Sequence, residues 1–167
     1  MTPQEAAKSL KDRFKNDVEI QPEFRGETTV TILPDSVRTV MRYCRDELAF
    51  DYFLDMCSVD NMGEDPRFEI VYELYSLSTH IHLRVKTAVS EDQREINTVS
   101  DIWPTANWHE REIFDMMGIE FKDHPDLRRI LMWEGYPFHP LRKDFPLGGK
   151  PSEMPDVAFT GIAPLEG

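Results

Sequence analysis

A chain of 167 residues that is 40% hydrophobic and 30% charged is long enough for one domain with its own core, and too apolar to stay disordered. Its formal net charge of −12 argues against nucleic acid as a partner, because phosphate recognition needs a basic footprint. No stretch approaches the roughly 18 apolar residues of a membrane span, and the start MTPQEAAKSLKDRFK lacks the apolar segment of a signal peptide.

In chain order, Thr2-Pro3 followed by QEAAKSLKDRFK predicts a short helix with proline in its first turn. TTVTIL (28–33) predicts a strand with Val30 and Ile32 on one face. PDSVRTVMRYCRDEL predicts a helix capped by Asp35 or Ser36, its apolar stripe made of Val37, Val40, Met41, Cys44 and Leu48. FDYFLDMCSVD (50–60) predicts a strand that ends in the turn-like NMGEDP. RFEIVYELYSL and HIHLRVKT predict an antiparallel hairpin around Ser78-Thr79. Ile81, Leu83 and Val85 face the core there, and His80 and His82 face water. SEDQREINTVSDIW is expected to be helical in parts and to stop at Trp103-Pro104. Cys44 and Cys57 are expected to be small buried hydrophobes in a reducing compartment, since two thiols do not fill the shell of a common iron–sulfur cluster.

The last third differs. Seven of the 12 prolines lie beyond residue 120, so this part forms neither long helices nor central strands. It still carries aromatics, and from Arg128 to Lys150 it holds five Lys/Arg against two acids. Such a segment either wraps its own domain or docks on a partner. The candidate docking residues are His124, Pro125, Trp133, Tyr136 and Phe138, with Pro140, Leu141, Lys143, Asp144 and Phe145 further on. The fold class is thus α+β: a mainly antiparallel sheet covered by helices, with a proline-rich extended C-terminal segment. The division expected is an α/β domain over 1–120 and a docking segment over 121–167.

NWHEREIFDMMGIEF (107–121) has the look of chemistry. His-Glu-x-x-His needs its second zinc ligand one helical turn on, and Ile113 stands there. His109 starts a helix, and His124 and His139 sit beside prolines in a loop-rich region, so structural hydrogen bonding is preferred for them over a scattered metal site, which their spacing alone does not exclude. DFPLGGKP ends like a phosphate loop, but Asp144 replaces the first glycine and Pro151 the magnesium-binding Ser/Thr. The structural reading is a helix capped by Asn107 with Glu110 reaching back in a capping box, and stopped by Gly118. Glu110 falls on the apolar face with Ile113 and Phe114, and Arg111 lies four residues before Asp115 and is expected to pair with it. A buried carboxylate needs donors. Glu110, with Glu112 as a second candidate, is therefore expected to form an ionic clasp on the tail through Arg128, Arg129, His139 or Arg142.

SDIWPTANWHEREIFDMMGIEFKDHPDLRRILM, followed by HPLRKDFPL, resembles the 30-kilodalton (C) subunit family of NADH:quinone oxidoreductase, respiratory complex I, over about 100–147. Residues from about 20 to 89 fit that family in outline, and the stretch after Gly149 does not match it. The resemblance implies a non-catalytic component of the hydrophilic arm that packs against the large quinone-site (D) subunit, with the B and I subunits close by. It implies no cofactor in this chain, the FMN, iron–sulfur clusters and quinone lying in other subunits. It further implies a peripheral place on the cytoplasmic face of the inner membrane. The alternatives are the equivalent component of a related membrane-bound hydrogenase or other donor:quinone oxidoreductase, and a free-standing metal enzyme using His109, Glu110, His124 and His139.

Overall fold

The computed structural model of this chain describes residues 1–149. The first helix, α1 (Pro3–Phe14), is set by a reciprocal cap: the Thr2 hydroxyl accepts from the Glu5 amide at 3.2 Å, and the Glu5 carboxylate accepts from the Thr2 amide at 2.8 Å. Its Ala6, Ala7 and Leu10 are buried. The second helix, α2 (Val37–Asp46), follows a 3-10 turn at Pro34–Ser36 and buries Val37, Val40, Met41 and Cys44. The side-chain cap expected from Asp35 or Ser36 is not made. The 3-10 turn leads the chain in, and the Ser36 hydroxyl donates to Asp17 at 2.6 Å instead.

The main sheet has five strands: β1 (Val18–Ile20), β2 (Thr29–Ile32), β3 (Tyr52–Asp60), β4 (Phe68–Ser76) and β5 (Ile81–Val89). Their spatial order is β1-β2-β5-β4-β3, with β2 and β5 parallel and every other pair antiparallel. One face is apolar: Phe68, Ile70, Tyr72 and Leu74 of β4 and Leu83 and Val85 of β5 join Leu10, Val40 and Met41 in one core. The other face is wet and laddered by charge. Glu73 accepts from Arg84 at 2.5 Å and meets His82 at 2.6 Å, and Lys86 meets Glu69 at 2.9 Å. Cys44 is buried, and burial pushes its thiol up to about 12. Cys57 is exposed, contrary to the expectation, because it alternates onto the wet face of the edge strand β3.

A second, two-strand ladder pairs β6 (Glu95–Asn97) in parallel with β7 (Glu120–Lys122), and helix α3 (Ala106–Met117) connects them. Residues 90–103 hold no helix, in contrast to the pattern read from the sequence. Ile96 is buried, and its strand partner Phe121 comes from beyond α3. The division expected at residue 120 runs through β7. Phe121 is 3% exposed and belongs to the core, so the domain extends past it.

Candidate functional site

Helix α3 begins after Thr105, with no side-chain cap, so the capping box expected from Asn107 and Glu110 is absent. Glu110 is instead fully buried and turned toward the loop after β6. One carboxylate oxygen accepts from the Val99 amide at 2.7 Å, and the other accepts from the Thr98 hydroxyl. The expected clasp from Glu110 to Arg128, Arg129, His139 or Arg142 is not formed, because nearer donors just ahead of the helix take both oxygens. The buried side chain of His124 sits 3.7 Å from the same carboxylate. Burial raises Glu110 to about 7, against the opposing effect of its two donors. Burial also lowers His124. Glu112 is exposed.

The carboxylate that holds the tail is Asp115. Its Oδ1 accepts from Arg129 at 2.6 Å, and its Oδ2 accepts from the amides of Ile130, Leu131 and Met132 at 3.1, 2.7 and 2.8 Å. Burial alone would raise this group. The amides of Met132 and Leu131, then Arg129 and the Ile130 amide, outweigh it and hold the carboxyl below its usual range. The expected pair between Arg111 and Asp115 is therefore absent. Arg111 Nε donates to the Arg128 carbonyl at 3.1 Å, and its guanidinium lies over Trp108.

The tail also closes the end of α3. The last carbonyls of a helix lack intrahelical donors and carry partial negative charge. Here Asp115 O accepts from Arg129 and His139 at 3.1 and 3.0 Å, Met116 O from the Leu141 amide at 3.2 Å, and Met117 O from Arg142 at 2.6 Å. The helix has no basic residue in its own last turn, so the tail supplies them. Gly118 makes the left-handed stop at φ +70°. A second anchor lies further on. Asp60 accepts from the Lys143 amide at 2.8 Å and from Arg67 at 2.8 Å, while Asp144 meets Arg67 at 3.3 Å.

These anchors sort the candidate docking residues. Tyr136 is buried, and Trp133, Tyr136, Phe138 and Phe145 stack on one another at 5.3, 5.7 and 6.1 Å between successive ring centres. Their rings stabilise the segment itself. His124 is likewise turned inward and Pro140 is half-buried, whereas Pro125, Leu141, Lys143 and Asp144 stand exposed. From α3 onward the large apolar side chains left in solvent include the candidate Leu141 at 58% and three that were not candidates: Trp108 at 62%, Leu131 at 60%, and Leu147, fully exposed. Trp108, Asp60 and Arg67 are not singled out by the sequence, which offers Asp115 only as a partner for Arg111. Trp108 stands opposite the buried face of α3, which was the one available signal. His109, His124 and His139 do not converge. They meet Asp55, the Asn107 carbonyl and the Asp115 carbonyl respectively, and among the described residues no three His, Cys, Asp or Glu are grouped to hold a metal ion.

The profile of the family described as respiratory-chain NADH dehydrogenase, 30 Kd subunit, matches residues 30–151. The chain belongs to that family. The match takes in β2 through the proline-rich segment, well beyond the stretch whose motifs suggested it. The NADH-quinone oxidoreductase C subunit of Geotalea uraniireducens is 44% identical over 144 residues, covering 86% of this chain and 88% of that one. The protein of the same name from Roseiflexus sp. is 45% identical over 140 residues, covering 83% and 78%. A solved trypsin-resistant fragment (1-134) of Nqo5 superposes with a TM-score of 0.68 at 26% identity, over 76% of this chain and all of the fragment. A chain of an archaeal membrane-bound sulfane sulfur reductase shares the fold, with a TM-score of 0.74 at 24% identity over 86% of this chain and 85% of that one. As a member of the family the chain is one component of a multi-subunit, membrane-associated enzyme, and its partners are other subunits. Among the described residues no helix is long and apolar enough to cross a membrane.

Proposed function

We propose that this chain is a non-catalytic component of the hydrophilic arm of proton-translocating NADH:quinone oxidoreductase. It supports assembly, and electron transfer from NADH to quinone, by packing against the large quinone-site (D) subunit, with the B and I subunits as further neighbours. The flavin, iron–sulfur clusters and quinone belong to other subunits of the enzyme, and the chain sits peripherally on the cytoplasmic face of the membrane. One observation carries the docking role. The extended segment spends its polar groups on α3 and on Asp60, yet leaves Leu131 and Leu141 in solvent. Apolar side chains held out by a segment so firmly tied down suit a protein interface. Supporting the absence of chemistry in this chain, the two buried acids of α3, Glu110 and Asp115, are consumed by structural donors.

Affinity purification of the tagged chain from its host membranes tests this. Recovery of the large quinone-site subunit in stoichiometric amount is expected. Recovery of the chain without it would overturn the reading.

A further inference from the structure

Arg111 is the buried cation of α3, and among the described residues it has no carboxylate partner. The residue is only 7% exposed, and its Nε is committed to the Arg128 carbonyl. The guanidinium lies 5.2 Å from the centre of the Trp108 ring, which fixes its plane. Among the described residues no carboxylate oxygen comes within 4.0 Å of it. Nη1 and Nη2 have no acceptor there either, and neither is sealed from the surface. Its neighbours are already spoken for: Arg129 is held by Asp115 at 2.6 Å and Arg128 by Asp126 at 3.0 Å. A cation this deeply placed and unpaired costs free energy in the isolated chain, and a planar, pre-oriented guanidinium binds a carboxylate through two parallel hydrogen bonds.

The surroundings say what could bring that carboxylate. Arg111 lines a groove of about 600 Å³ between α3 and the tail, with Phe114, Ile130 and Met132 among its apolar walls. Three arginines line it against one acid, Glu134, on a chain whose net charge is −12. Trp108, 62% exposed, also lines it. A nucleic acid needs a basic footprint spanning several phosphates, whereas a single acidic residue beside an apolar side chain on a peptide segment matches both the one unpaired guanidinium and the walls.

We propose that Arg111 is a preformed socket for an aspartate or glutamate of a neighbouring subunit, carried on a segment whose apolar side chain packs in the groove between Trp108 and the Ile130 and Met132 wall. This rests on the reading of the chain as an assembled component of the enzyme.

Two substitutions test it in the full chain. Arg111→Lys, assembled in the complex and treated with a water-soluble carbodiimide, should form an amide to one Asp or Glu of another subunit, identified by peptide mass mapping. A complex in which this variant forms no amide overturns the socket. So does an amide within the chain, to Glu134 or to Glu153, Asp156 or Glu166. Arg111→Gln keeps an N–H for the Arg128 carbonyl but removes the charge. The isolated variant should melt at or above the wild-type temperature, while the salt concentration that strips it from the complex should fall at least about twofold. A lowered melting temperature with unchanged release would mark Arg111 as merely structural. Should Arg111→Lys fail to assemble while melting normally, the guanidinium is required for docking, which supports the socket. If wild-type chain itself recovers no partner protein, the reading as an assembled component fails and the socket with it.

Discussion

Arg129 Nη1 lies 2.6 Å from Asp115 Oδ1, an ion pair that ties the end of the third helix to the start of the proline-rich segment. Asp115 is fully buried and Arg129 nearly so. Three consecutive amides complete the acid's shell, so the carboxylate works as an anchor for backbone as much as for charge. Asp115→Ala would leave Arg129 buried without its counter-ion and free three amides. A loss of about 3–5 kcal/mol is expected in chemical denaturation, together with new proteolytic cleavage between residues 128 and 142. A loss of a few tenths of a kcal/mol would mean the tail is held mainly by its aromatic stack.

Gly118 is required twice over. Its φ of +70° disfavours any side chain, and a Cβ there would collide with His139 Nε2 and stand 2.5 Å from Arg142 Nη2. Gly118→Ala should cost ~1–2 kcal/mol from the backbone alone. It should also push away the two side chains that close the helix. Loss of His139 and Arg142 contacts should appear as tail-specific gain in amide exchange, with the sheet unaffected. Uniform destabilisation across sheet and tail would contradict this.

The other buried acid of the helix makes a pH prediction. Burial raises Glu110 from 4.5 to about 7. Between those values the folded chain holds a proton that the unfolded chain has released. The contribution of this group is therefore full below about pH 4.5 and is lost as pH rises to 7, on the order of 3 kcal/mol in all. His124 and His139 are lowered in the fold, so they slope the opposite way below their ordinary value. The difference between wild type and Glu110→Gln isolates the acid. Urea denaturation from pH 4.5 to 7.5 should show the wild type losing stability relative to this variant as pH rises. Parallel curves would show that Glu110 titrates normally.

Asp60 and Arg67 form the second anchor. Both are nearly buried, and Asp60 also holds the Lys143 amide. Arg67→Met would strand the acid, and a loss of about 3–5 kcal/mol is expected. Asp60→Asn/Arg67→Met, which removes both charges, should recover much of that loss in a double-mutant cycle. No recovery would show that Arg67 acts through Glu91 and Asp144 instead.

Local pattern was enough for α1, for the stripe of α2 and for the β4–β5 hairpin, because periodicity and caps act within a few residues. It failed for β1, β6 and β7. Each is three residues long, and its hydrogen-bonding partner lies elsewhere in the chain; β6 meets β7 only across the whole of α3. The burial of Glu110 was legible from its spacing to Ile113 and Phe114. Its partners were not, since Thr98 and Val99 reach it through a loop whose path depends on β6.

The sequence by itself determined that the third helix carries acids which must find donors, and that an arginine-rich, proline-broken segment follows to offer them. Only the tertiary structure decided which acid meets which donor. Glu110 and Asp115 are five residues apart, so at about 100° per residue they point roughly 140° away from each other. One faces the loop before the helix, and the other faces the tail. Composition and spacing list donors and acceptors, but a hydrogen bond is satisfied by direction and distance, and those are set by how the helix is seated on the sheet.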